Sequence, residues 1–196
     1  MRIVSSALSA LALALAATPA LAAPVTITRF VAPELVTPAH GTIAVTTPSG
    51  IDPTALEYRP WLDAVAQQMA ALGYTLSTAV DPDCVAEVRM ERTTAHQDRS
   101  RPPVSVGLGG ASGGYHSSFG LGIGFSLGGG PKDLVTTHLA VIIRDRPTGK
   151  PLWEGRAENT EDAKSKNGMV EGAAPRLAAA LFGGFPGKSG ETVTVK

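Results

Sequence analysis

The chain has 196 residues, a formal net charge of +0 and one cysteine, Cys84. The charge balance argues against nucleic acid or an anionic membrane surface as partner, since either calls for a clustered basic excess, and a lone thiol excludes an intramolecular disulfide. With 43% hydrophobic residues, the chain is long enough to bury a real core.

Residues 1–22 open on Arg2, continue through an alanine- and leucine-rich run from Ala7 to Ala17, and end in Ala20-Leu21-Ala22. A charged start, an apolar middle and a small-x-small end make a secretory signal peptide cut after Ala22, and the expected location is the periplasm. The apolar run is too short for a comfortable transmembrane helix, and no later stretch approaches one. No cysteine follows the cleavage site to accept a lipid. The expected product is therefore an exported, unanchored single domain over residues 23–196.

Val25 to Val31 alternates apolar residues with Thr26 and Thr28 and reads as a first strand, and Gly41 to Thr47 reads as a second. From Ala55 the period changes. Trp61, Val65, Met69 and Leu72 fall at helical steps, Pro60 fits only a first turn, and Gly73 is expected to end the helix in a left-handed conformation. Tyr74 to Thr78 returns as a short strand, and Cys84 to Thr93 as a longer one that runs into a charged, solvated segment ending at Arg101. Cys84 sits in an apolar run and is expected to be buried and inert.

Residues 104–130 hold a large share of the chain's 22 glycines. Leu121, Ile123, Phe125 and Leu127 alternate there with glycine and serine, a pattern for a loosely specified strand pair or loop excursion. Leu134 to Thr160 carries the densest strand signal, a hairpin turning through residues 146–150. Its first strand is apolar on both parities, as an interior strand is. Its second is one-sided, with Trp153, Gly155 and Ala157 opposite Glu154, Arg156 and Glu158. Glycine beside a tryptophan in a strand implies a close approach, and Trp153 is expected in the core, with a ligand platform as the alternative. Asn167 is placed to cap a second helix ending at Gly183-Gly184 and kinked or divided in two by Pro175. Thr192 to Val195 closes the chain as an edge strand or a frayed end.

Gly124-Phe125-Ser126-Leu127-Gly128 matches the G-x-S-x-G pattern of a nucleophile elbow, as does Gly110-Ala111-Ser112-Gly113-Gly114. A hydrolase needs that serine on a strand-to-helix turn, then an acid and a histidine. No helix follows here, and the only histidine after Ser126 is His138, inside a strand. No dinucleotide fingerprint occurs. Gly187-Lys188-Ser189 lacks the earlier glycine and the preceding strand of a phosphate loop. The histidines show no paired metal-ligand spacing, and Asp81 and Asp83 read as turn residues.

Leu56-Glu57-Tyr58-Arg59 entering the first helix, Leu72-Gly73-Tyr74 leaving it, the glycine-rich segment, Thr148-Gly149 with Leu152-Trp153-Glu154-Gly155, and Leu181 to Gly190 together resemble a family of small bacterial envelope proteins known as domain of unknown function 4136. The likeness spans nearly all of residues 23–196. It implies an envelope location and an α+β fold and supplies no catalytic residues. Many members look like lipoproteins, whereas this chain lacks the acceptor cysteine.

The expectation is an α+β fold: a mostly antiparallel sheet, two helices packed on one face and a glycine-rich excursion at 104–130. The expected role is non-enzymatic, without cofactor or metal: an exported module that binds another envelope component or itself. The alternative is a carrier of a small apolar ligand or lipid, with a pocket between helices and sheet. Trp153, Tyr58, Trp61, Tyr74 and Phe125 are the candidate binding residues.

Overall fold

A computed structural model describes residues 22–35, 41–96 and 133–196. Residues 1–21, all but Ala22 of the expected signal peptide, and the expected excursion at 104–130, with Phe125 and the G-x-S-x-G serines, lie outside the described residues. In chain order the elements are β1 (Val25–Val31), β2 (Thr42–Thr46), α1 (Arg59–Leu72), β3 (Thr75–Leu76), β4 (Cys84–Ala95), β5 (Leu134–Asp145), β6 (Pro151–Asp162), α2 (Val170–Phe182) and β7 (Thr192–Val195). They form one seven-stranded sheet in the order β3-β2-β4-β5-β6-β1-β7.

The fold is α+β, but the expected mostly antiparallel sheet is corrected to a mixed one. β2 runs parallel to β3 on one side and to β4 on the other, while the pairs β4–β5, β5–β6, β6–β1 and β1–β7 are antiparallel. The cause is α1. A strand followed by a crossover helix returns to the sheet pointing the same way. Alternation in the sequence reports that a segment is a strand and carries no information about its direction.

Helix α1 follows from its period. Trp61, Ala64, Val65 and Met69 are buried along one face, and Gly73 closes the helix at φ 106°, a conformation that disfavours any side chain, with its N–H on the Ala70 carbonyl. Helix α2 buries Ala173, Ala174, Leu177, Ala178 and Leu181 and packs against both α1 and the sheet. It starts later than expected: Met169 occupies the cap position with no side-chain bond, and Asn167 lies outside the helix. Pro175 does not divide it, because residues 170–182 form one helix around it.

The sheet buries the parity of Ala86 and Val88 on β4, Leu139, Val141 and Ile143 on β5, and Trp153 and Ala157 on β6 beneath the helices. Each large apolar side chain so covered contributes about 1.5–3 kcal/mol. The opposite face is open and charged. There Arg144 pairs with Glu87 at 3.1 Å, Arg156 with Glu154 at 2.5 Å and His138 with Glu158 at 3.5 Å. Exposed pairs of this kind are worth about 0–1 kcal/mol each, so they keep the face wet rather than hold the fold.

Candidate functional site

Of the candidate binding residues, Tyr58, Trp61, Tyr74 and Trp153 are all buried. Trp61, Tyr74 and Trp153 belong to one core cluster, whereas Tyr58 stands apart from it. Trp153 stacks on Phe182 at a centroid distance of 5.0 Å, lies 5.4 Å from Phe185, and donates its indole N–H to the Pro186 carbonyl at 2.9 Å. Every polar and aromatic valence of that side chain is used inside the fold. The Trp61 indole N–H is buried with no acceptor among the described residues.

Tyr74 and Cys84 touch an open hollow of 560 Å³ at the end of the sheet, completed by Glu34, Leu35, Asp145 and Lys150. Burial pushes the Tyr74 phenol up to about 12, with Cys84 adding to it. Burial also pushes the Cys84 thiol up, followed by the carboxylates of Asp145 and Asp83. The nucleophilic thiolate is thus suppressed. In the folded protein, alkylation of Cys84 by iodoacetamide is expected to run far more slowly than in the urea-unfolded chain, with its pH midpoint displaced upward. Equal rates in the two states would refute an inert thiol.

The larger unsatisfied feature is the far half of β4. The strand spans 12 residues, but the 5-residue β2 pairs only with Cys84 to Glu87. On its other side β4 pairs with β5 along its whole length without a shift. The Arg146 amide donates to the Asp83 carbonyl at 2.9 Å, which fixes the alternation of the antiparallel ladder. Residues 85, 87, 89, 91 and 93 therefore exchange hydrogen bonds with β5. Residues 86, 88, 90, 92 and 94 turn their amides and carbonyls the other way.

Beyond β2, that outward row consists of Met90, Arg92 and Thr94, and among the described residues no strand pairs with it. The Tyr58 hydroxyl reaches toward the Met90 carbonyl at 3.5 Å. Arg92 turns its guanidinium to the Gly168 carbonyl in the loop before α2. Burial lowers its pKa, partly offset by Glu171. Thr93, Thr94 and Ala95 are exposed. Among the described residues, no strand therefore meets the outward backbone groups of Arg92 and Thr94, and a strand edge of that kind is the geometry that receives another extended chain. Sequence reading missed it, although the mismatch between a short β2 and a long β4 was its available signal.

An uncharacterised protein of Zymomonas mobilis is 39% identical over 77 residues, 38% of this chain, and the match spans only 29% of that protein. Among solved structures, a PelC dodecamer from Paraburkholderia phytofirmans is similar at 12% identity and a TM-score of 0.43, over 81% of this chain and 94% of that one. A PDZ domain protein from Parabacteroides distasonis is similar at 15% identity and a TM-score of 0.49, over 88% of this chain and 39% of that one. Among the described residues no helix is long and apolar enough to cross a membrane. The family described as domain of unknown function, DUF4136, matches residues 42–187, from the first residue of β2 past the end of α2, and the chain belongs to that family.

Proposed function

We propose that the protein is a non-enzymatic, exported envelope module that engages another envelope component, or a second copy of itself, by strand addition. The observation that carries this reading is the edge of β4 at Arg92 and Thr94, with which no strand pairs among the described residues. An incoming strand would satisfy those backbone groups and extend the sheet, with main-chain hydrogen bonds supplying affinity and flanking side chains supplying selectivity. The signal-like N-terminal segment supports a periplasmic location.

Proline separates this edge from the fold. At Thr94 the amide points outward, so Thr94→Pro removes a donor from the partner's ladder and none from β5. At Thr93 the amide points at Thr136, so Thr93→Pro breaks the β4–β5 ladder itself. Sedimentation of the purified protein is expected to find an assembly that Thr94→Pro reduces to single copies without lowering the melting temperature, whereas Thr93→Pro lowers the melting temperature. An assembly indifferent to Thr94→Pro would overturn the reading.

The carrier reading keeps one specific support, the hollow beside Tyr74 and Cys84. That hollow lies at the strand ends. The space between helices and sheet is occupied by Trp61, Met69, Leu177 and Leu181, all fully buried.

A further inference from the structure

We infer that the fold contains a seat for the α-ammonium group that signal removal would create at Ala23. The inference rests on the export reading given above. Glu161 on β6 is the centre of the seat. Its Oε1 accepts from the Ala23 backbone nitrogen at 3.0 Å, from Arg176 Nη1 at 2.8 Å and from Asn159 Nδ2 at 3.3 Å. Arg176 on α2 returns to the same residue from the other side, donating through Nη2 to the Ala23 carbonyl. One residue is thus gripped at both its nitrogen and its carbonyl oxygen.

The grip is built rather than incidental. The Glu161 and Arg176 side chains are 11% and 19% exposed, and Asn159 is buried. An amide nitrogen uses one donor here and carries no charge. A free N-terminus in the same place carries three donors and a positive charge 3.0 Å from a largely dehydrated carboxylate, and charge-assisted bonds are about twice as strong as neutral ones. Cleavage after any other residue would leave the charge elsewhere. Ala23 also precedes β1, which bridges β6 and β7, so closing the seat ties three strands and α2 together.

Among the described residues, the charged and titratable groups around the seat are few. β6 contributes Glu161, α2 contributes Arg176, and the β7 register carried one residue onward sets Lys196 opposite Pro24. β5 presents only Val135 and Thr137 on the inner parity there. Among the described residues, Glu161 is therefore the carboxylate that attracts the ammonium, and Arg176 is the cation bonded to the same carboxylate that opposes it.

The sign of the pH effect follows. An amine held by a carboxylate has its folded-state pKa raised above the unfolded value of about 7.7–8.0. Its contribution is fully present below that unfolded value and is lost as pH rises through the folded one.

The test compares two mature chains beginning at Ala23, one with a free amine and one acetylated by co-expression with an N-terminal acetyltransferase. Acetylation keeps the N–H and removes the charge. At pH 6.5 the free form is expected to have an unfolding constant about five times smaller, an advantage that disappears in Glu161→Gln and fades above pH 9. NMR titration of the Ala23 amine in the unsubstituted protein, which needs no variant to fold, is expected to give a raised pKa. Equal stability of the two chains, or an amine titrating at its ordinary value, would overturn the seat. The intact mass of the protein recovered after export tests the export reading separately: a start elsewhere than Ala23 would remove the processing role while leaving the two-chain comparison interpretable.

Discussion

Replacing Arg29 with methionine is expected to lower the unfolding free energy by about 3–5 kcal/mol, a large share of a domain's total stability. Arg29 lies on the inward parity of β1, after Val25 and Ile27, and is 8% exposed. Its guanidinium spans the C-terminal end of α2: Nε donates to the Leu181 carbonyl at 2.9 Å, and Nη2 donates to the Ala180 carbonyl at 3.1 Å and the Gly183 carbonyl at 2.6 Å. A helix ends with carbonyls that have no partner in the helix and with the negative end of its dipole, and one planar cation answers both needs. Burial lowers the Arg29 pKa, with the Glu191 carboxylate pulling it partly back. Methionine fills similar space but takes the donors from three carbonyls, of which the Leu181 one is buried, and leaving a buried group unsatisfied costs about 1–3 kcal/mol. Lysine keeps the charge but cannot fork across three acceptors, so Arg29→Lys is expected to recover only part of the loss. Urea unfolding of the three proteins decides this, and a methionine variant within about 1 kcal/mol of the original would show that the cap is dispensable.

Arg29 also marks where the sequence stops being legible. The alternation of Val25, Ile27, Arg29 and Val31 identifies a strand, and a cation on its inward parity is a visible anomaly, but its acceptors are 151 to 154 residues further along the chain and periodicity does not reach them. The two helices were readable because their apolar steps are local, and the hairpin of β5 and β6 because its turn chemistry is local. Strand direction at β2 was not, since it depends on where α1 delivers the chain. The open half of β4 is likewise a property of two strand lengths compared, not of either strand. Tyr58, Trp61, Tyr74 and Trp153 stand out in the sequence as large aromatics, and the fold spends all four on burial. Composition could flag them as important without distinguishing a ligand wall from a core.

Gly155 carries the second large effect, and it tests whether the core around Trp153 is as rigid as its contacts imply. A methyl group built on Gly155 would lie 2.2 Å from Cη2 of Trp153 and 2.8 Å from Cδ1 of Leu181. The indole lies across the glycine and has little freedom to yield, because Phe182 and Phe185 flank it and its N–H is bound to the Pro186 carbonyl. Gly155→Ala is therefore expected to cost about 3 kcal/mol, at the upper end for a single added methylene. Trp153→Ala alone is expected to cost about 3–5 kcal/mol through the cavity it leaves. The informative protein is the pair. Once the ring is gone, the methyl at position 155 still meets Leu181 Cδ1 at 2.8 Å, but that side-chain end can move into the vacated space, so most of the Gly155→Ala cost disappears in the Trp153→Ala background. A double-mutant cycle by denaturant unfolding should give a coupling of about 2–3 kcal/mol. Simple additivity would mean that the ring has another place to go, and that the glycine is there for some reason other than the tryptophan lying on it.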